Sequence, residues 1–324
     1  MLEINNLRVA FGGAAGPVRA VSGVDLRVDR GEIVGVVGES GCGKTVTALA
    51  AMGLLPFRGQ AEGEILLDGE DLLRKTNDEM RAIRGNCVSM IFQEPMTALN
   101  PLITIGRQLC EPLALHRGMP PEESMRQAAK ALDMVRVPSA ASRLKNYPHQ
   151  LSGGLCQRVM IAMALICEPE LLIADEPTTA LDVTIQAQIL DLLRDLRART
   201  GTAILMITHD LGVVAELCDR VCVMYAGRLM EHAEVFELFG NPRHPYTSGL
   251  LKSLPRVDAR PSAGEKLYSI PGMVPNLRGL PAGCPFEPRC DEAMEKCKRE
   301  VPPLFRTADG HASRCWRSEG TPHA

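Results

Sequence analysis

Nowhere in the 324 residues is there an apolar run approaching the about 18 that a membrane-spanning helix requires. The densest stretch, Val159 to Ile166, has the size of a buried core segment. A basic excess is missing too: 36 Lys and Arg stand against 39 Asp and Glu, net charge −3, and the cations are scattered rather than striped. That leaves no electrostatic footprint for nucleic acid. Internal repeats, low-complexity tracts and sustained heptads are lacking, and Met1-Leu2-Glu3 does not begin a signal peptide. The expectation is a soluble chain of about two domains whose membrane association comes through partners.

What is present is more specific. Gly38-Glu39-Ser40-Gly41-Cys42-Gly43-Lys44-Thr45 fits the phosphate-binding pattern GxxxxGK[ST] at every fixed position. Its glycines let the backbone curl until successive N–H groups point at the β- and γ-phosphates, and the following helix adds its positive end. Lys44 would neutralise phosphate charge and Thr45 would hold Mg²⁺. Glu32 to Val37 reads as a buried strand and Val46 to Leu55 as a helix, the order this loop needs.

A phosphate loop alone leaves kinase, GTPase and ATPase open. Further along stands Leu151-Ser152-Gly153-Gly154-Leu155-Cys156-Gln157-Arg158, followed by a short apolar helix and Leu171-Leu172-Ile173-Ala174-Asp175-Glu176. Ser152, Gly153 and Gly154 would cap and open a helix whose N-terminus is a second anion site, best explained by a partner's nucleotide. Asp175 ends an apolar strand where a carboxylate reaches Mg²⁺, and Glu176 beside it is placed to deprotonate an attacking water.

With these motifs the sequence resembles the ATP-binding subunits of ABC transporters, from about Leu2 to Cys315. Gln93 in Ile91-Phe92-Gln93-Glu94-Pro95 is similar to the family's glutamine loop, which senses Mg²⁺ and the attacking water and faces the membrane partner. His209 in Ile207-Thr208-His209-Asp210 resembles the histidine on the γ-phosphate, and Ala180-Leu181-Asp182 the loop that crosses the dimer interface. Phe11 is placed like the aromatic that stacks on adenine, more often a tyrosine. Gln157 and Asp182 enter the implied nucleotide site with these. Cys156 departs from the family, which usually has a long polar or basic residue or serine there.

Tyr147-Pro148-His149-Gln150, Met96-Thr97-Ala98-Leu99-Asn100-Pro101 and Arg243-His244-Pro245-Tyr246-Thr247 are similar to the dipeptide and oligopeptide importer branch. The resemblance implies an ATP hydrolase at the cytoplasmic face of the membrane. Its implied partners are two transmembrane permease subunits, a second ATPase subunit that is a different chain, and a periplasmic or extracellular peptide-binding protein. A related importer for nickel or another small solute is the alternative. A soluble ABC-type ATPase acting on DNA or ribosomes is disfavoured by the single phosphate loop. A cassette that binds without hydrolysing is disfavoured by Glu176 and His209.

The predicted architecture is α/β, a mostly parallel wound sheet of the ABC-type P-loop nucleotide-binding kind. Strands are expected at Leu2 to Val9, Glu32 to Val37, Leu171 to Ala174, Ala203 to Ile207 and Arg220 to Tyr225, with a helix over Val183 to Arg199 that stops before Gly201. A helical subdomain spans about 94–160, where Met125, Ala128, Ala129, Leu132 and Val135 recur at helix spacing, a stripe read as packing. The ATPase domain covers 1–241 and a small cysteine-containing extension 242–324.

Of eleven cysteines, Cys284, Cys290, Cys297 and Cys315 fall in the extension, spaced C-x5-C-x6-C-x17-C. Four thiols so close in a cytosolic protein suggest metal rather than disulfides, and the spacing leaves zinc and iron–sulfur open. Resemblance to the importer branch, whose ATPase subunits can carry a [4Fe–4S] cluster in this extension, favours the cluster over zinc or plain thiols. It would fasten a segment with few other means of staying folded, in a module separate from the ATP site. Cys42, Cys87, Cys110, Cys156, Cys167, Cys218 and Cys222 read as small buried hydrophobes or incidental.

Overall fold

The structure is a computed structural model that describes residues 1–13, 16–179, 181–254, 268–307 and 310–320. Its strands in chain order are β1 (Leu2–Phe11), β2 (Val18–Val28), β3 (Ile33–Val37), β4 (Gly59–Leu67), β5 (Glu70–Asp71), β6 (Val88–Ile91), β7 (Leu171–Asp175), β8 (Ala203–Ile207), β9 (Arg220–Tyr225), β10 (Arg228–Glu234), β11 (Phe305–Arg306) and β12 (Ala312–Ser313). They form two sheets. The larger runs β11-β12-β10-β9-β3-β8-β7-β6 and the smaller β2-β1-β4-β5.

Within the larger sheet β9, β3, β8, β7 and β6 are parallel. Every residue of β3, β6, β7 and β8 is buried. Strands covered on both faces show no polar alternation, so the sequence reads there as unbroken runs such as Leu171-Leu172-Ile173-Ala174. One face packs on the helical subdomain and on helix Val183–Thr200, with Ile33, Ile91 and Leu172 in one cluster with Leu132, Val159 and Leu193. The other packs on the small antiparallel sheet, through Val34, Val36 and Ile173 against Ile4, Val21 and Ile65.

Parallel alignment puts the carboxyl ends of these strands on one edge: β3 runs into the Gly38 loop, β6 stops before Gln93, β7 stops at Asp175, and β8 stops before His209. That edge is where an open α/β sheet leaves a crevice for ligands.

The predicted helices are found, with different ends. The one after the phosphate loop spans Lys44–Ala51, and the long one spans Val183–Thr200, terminated by Gly201 in the left-handed conformation at φ 69°. Between Gln93 and Ser152 lie helices Ile105–Arg117 and Pro121–Met134 with shorter turns. Ala128, Leu132 and Val135 are buried as the stripe predicted, whereas Met125 at its end is 43% exposed.

The extension is tied to the core. β12 pairs with β10, Glu231 opposite Ser313 and His232 opposite Ala312, so its chain completes the edge of the main sheet. A third apolar cluster joins Val221, Tyr225 and Met230 of the core to Tyr246, Cys284, Phe286 and Cys297. The expectation of a segment with few means of staying folded is corrected by this packing.

Candidate nucleotide site

The phosphate loop is held from beneath. Gly38 has φ 149° and Gly43 has φ 104°, in a range side chains rarely adopt. A Cβ on Gly38 would meet the Met224 carbonyl oxygen at 2.1 Å, and one on Gly43 the Ala20 carbonyl oxygen at 2.7 Å. Lys44 is 6% exposed, and its Nζ donates to the carbonyls of Gly38 at 2.6 Å and Glu39 at 3.2 Å. Cys42 points inward; it is buried, and burial raises its thiol pKa despite the nearby Lys44. Ser40 and Gly41 lie on the loop's outer turn, both exposed.

Thr45 lies close enough to Asp175 for its hydroxyl to bear on the carboxyl. Burial raises the Asp175 pKa, with the negative Glu176 adding to it while Thr45 and Lys44 oppose. Its Oδ1 is buried with no hydrogen-bond partner among the described residues. An orphaned buried carboxylate oxygen beside a hydroxyl, at the mouth of a phosphate loop, suits a hard oxygen-seeking cation such as Mg²⁺.

Glu176 is the meeting point of the remaining groups. It adopts φ 48°, unusual outside glycine, and its side chain is only 13% exposed. Its Oε2 accepts from Gln93 Nε2 at 3.1 Å and from Thr179 Oγ1 at 3.0 Å, and its Oε1 lies 3.1 Å from His209 Nδ1. Burial works against ionisation here, but the hydrogen bonds from His209 and Thr179 outweigh it and hold the carboxyl below its ordinary pKa. Glu176 is therefore a carboxylate at neutral pH.

The loop at Ser152–Gly154 is built otherwise. Ser152 and Gly153 are exposed at the start of helix Gly153–Leu165, and Ser152 Oγ accepts from Leu155 N–H at 3.4 Å. Gly154 faces Leu181, and Asp182 caps helix Val183–Thr200 by accepting from Ile185 N–H at 3.0 Å. A cavity of about 420 Å³ lies between Ser152, Leu155, Leu181 and Asp182. Ala180 lies outside the described residues. Gln157 does not join this surface: it is 1% exposed, and its Nε2 donates to the Pro177 carbonyl at 2.6 Å. The atypical Cys156 also turns inward, its Sγ donating to the Pro148 carbonyl at 3.4 Å.

Phe11 closes β1 half-buried, its ring against Gly59. Glu39 differs from expectation. Its backbone N–H donates to the Tyr246 hydroxyl at 2.9 Å, and its carboxylate pairs with Arg289 of the extension. The phosphate loop and the extension are thus in contact, not in separate modules. Sequence reasoning missed Arg289, and no local pattern marks it; Tyr246 stood only within a branch motif.

The four extension cysteines gather from four chain positions. Each of Cys284 and Cys315 feels the charge of Cys290 and Cys297, and burial pushes Cys284, Cys290 and Cys315 up to about 11. Yet among the described residues no three His, Cys, Asp or Glu side chains are placed to hold a metal ion. The expected [4Fe–4S] or zinc site is not supported, and Cys284 and Cys297 sit in an apolar cluster with Phe286. Of the other seven cysteines, Cys42, Cys156, Cys167 and Cys222 are buried, while Cys87, Cys110 and Cys218 are half-buried.

Residues 21–179 match the family described as ABC transporter, and residues 230–297 the family described as oligopeptide/dipeptide transporter, C-terminal region. The chain is 51% identical over 317 residues to the oligopeptide transport ATP-binding protein OppD of Salmonella typhimurium, covering 98% of this chain and 93% of that one. It is 50% identical to the OppD protein of Haemophilus influenzae, covering 98% and 97%. Among solved structures it resembles the dimeric ATP-binding cassette MJ0796 in a post-hydrolysis state bound to ADP and Pi. The TM-score is 0.67 at 29% identity, over 72% of this chain and 99% of that one.

Proposed function

The chain belongs to the ATP-binding subunits of ABC transporters, in the branch that carries the oligopeptide/dipeptide C-terminal region, and from that premise we propose that its ATP hydrolysis powers peptide import across the cytoplasmic membrane. The observation that carries the chemistry is the convergence of Gln93 and His209 on Glu176, beside the Thr45–Asp175 pair and above the phosphate loop.

Gly38 to Thr45 cradles the β- and γ-phosphates, and Lys44 turns from its loop carbonyls to their charge. Thr45 and Asp175 are the residues that would hold Mg²⁺, which supplies neutralisation of phosphate charge when bound. Glu176, ionised and held by three neighbours, takes the proton of the attacking water, while Gln93 and His209 fix its carboxylate and stabilise the charge on the γ-phosphate. Phe11 packs on adenine. Two nucleotide domains pair head to tail, so that Ser152, Gly153 and Gly154 of one cover ATP held by the other, with Asp182 near the seam. Their exposed, sparsely packed surface supports that reading.

The domain division is proposed as 1–241 for the ATPase domain, with a helical subdomain about 94–160, and 242–324 for the extension. The partners are two permease subunits, a second ATPase chain and a peptide-binding protein outside the membrane. Among the described residues no helix is long and apolar enough to cross a membrane, so the membrane contact of this reading runs through the permeases. The finer reading of the extension is that its four thiols bind a [4Fe–4S] cluster, or zinc in its place. It rests on the four-cysteine spacing and the branch resemblance and not on an assembled metal site, and iron and zinc analysis of anaerobically purified protein decides it: stoichiometric iron upholds the cluster, zinc the alternative, and neither metal rejects both.

The test of the main reading is the transporter rebuilt in liposomes with its permease and binding proteins. Wild type should couple ATP turnover to uptake of labelled peptide. Glu176→Gln should retain ATP binding and lose turnover by about 10²- to 10⁴-fold, the usual worth of a positioned base. Wild-type turnover in that variant removes Glu176 from its role; turnover without peptide uptake removes the peptide assignment.

A further inference from the structure

Glu39 is an odd residue to find in a loop that receives a polyanion. Its carboxylate accepts from Arg289 Nη1 at 2.6 Å and Nη2 at 3.0 Å, a two-pronged pair between residues 250 positions apart. Arg289 is itself fixed. Its Nε donates to the Pro271 carbonyl at 2.9 Å and its Nη1 to the Tyr225 hydroxyl at 3.2 Å, with its side chain 5% exposed. The guanidinium also lies 5.8 Å from the Tyr225 ring centre and 6.0 Å from that of Phe286. In the same grip, the fully buried Tyr246 accepts the Glu39 N–H at 2.9 Å and its ring lies tilted, 4.7 Å from that of Tyr225 and 5.3 Å from that of Phe286.

A guanidinium so built in does two things to the loop at once. It cancels the one negative side chain that Gly38–Thr45 carries, which would otherwise repel an incoming triphosphate through a partly buried, weakly screened medium. It also ties the loop's first turn to a scaffold of three aromatic rings. We propose that Arg289, with Tyr246, is a positioning residue of the ATP site: the C-terminal extension neutralises and anchors Glu39, so the phosphate loop binds triphosphate well only while the extension is docked. Linkage makes this reciprocal, and bound nucleotide strengthens the docking by the same factor. The inference rests on Gly38–Thr45 being the triphosphate cradle.

A double-mutant cycle on the full chain in the assembled transporter tests it, with equilibrium binding of labelled ATP as the readout. Arg289→Met should weaken ATP binding at least about tenfold when Glu39 is present and less than about threefold when measured against Glu39→Gln. Arg289→Lys, which keeps the charge and loses the fork, should fall between, and it replaces Arg289→Met in the cycle should that variant not fold. An equal cost in both Glu39 backgrounds, or no cost in either, overturns the proposal. Lys44→Ala separates the two levels: if it binds ATP like wild type the cradle reading itself fails, and if it abolishes binding while Arg289→Met costs nothing, only this inference fails.

Discussion

Two loops in this chain carry the proposed phosphate contacts, and they are made in opposite ways. Gly38–Thr45 is wedged: Met224 and Ala20 carbonyls press on its glycines, Lys44 is buried, and Tyr246 and Arg289 grip its first turn. Ser152–Gly154 stands free, with nothing within 4 Å of a Cβ placed on Gly153 and only Leu181 near Gly154. A cradle must be shaped before its ligand arrives, because ordering it afterwards would cost binding energy. A surface that closes over another chain's ligand needs a cap and an open face.

The contrast predicts unequal responses to the same change. Gly43→Ala should be the most damaging: the φ of 104° strains any side chain, and the Ala20 oxygen at 2.7 Å is backbone and cannot step aside. ATP affinity should fall by at least about tenfold, from strain of about 1–3 kcal/mol plus the clash, as read by nucleotide titration. Gly153→Ala, with open space around it, should leave the thermal midpoint of the isolated chain within about a degree or two, since an alanine suits the first turn of a helix. Comparable losses in both variants would erase the distinction between wedged and free.

Ser152→Arg sharpens it from the other side. The isolated chain should bind ATP within about twofold of wild type, because Ser152 bonds only its own helix start, and removal of that cap costs about 1 kcal/mol of stability. Turnover in the assembled transporter should drop severely as the bulky cation blocks closure. Lost ATP affinity in the isolated chain would mean that Ser152 belongs to its own cradle.

A pH dependence is expected at the joint beneath the wedged loop. His244 is 1% exposed; its Nδ1 accepts from Tyr246 N–H at 3.0 Å, and burial lowers its pKa from 6.5 to about 4. A depressed histidine favours the fold fully above 6.5, and that contribution is lost as pH falls toward about 4, where the unfolded chain binds the extra proton first. The loss is on the order of 3 kcal/mol at its limit. Thermal unfolding followed from pH 7 to pH 4 should show it, with a flatter profile in His244→Gln; an unchanged slope would sink the assignment.

Much of the site was legible because its chemistry is local. Ala203–Ile207 and Arg220–Tyr225 were read to the residue, since buried parallel strands leave continuous apolar runs between polar breaks. Lys44, Thr45, Asp175 and Glu176 could be assigned from short motifs alone. The strands β2, β4 and β6 were not read: β4 buries only Ile65 and Leu67 of nine residues, so no alternation marks it. The extension was misjudged for a related reason. Cysteine spacing is conspicuous and was read as the fastening of the segment, while the contacts that do hold it, β12 on β10 and Arg289 on Glu39, join positions remote in sequence and have no local signature.

The place of β3 in the sheet has a temporal side. It lies between β8 and β9, and its Ile33 N–H donates to the Asp219 carboxylate, 186 positions downstream. At synthesis rates of about 5–20 residues per second, the segment bearing the phosphate loop waits on the order of ten seconds or more for its neighbours. During that interval the motif exists as sequence and not as a site. A chain halted before β8 therefore exposes Ile33 to Val37, an apolar strand without partners, and is a substrate for chaperones rather than a weak binder of ATP.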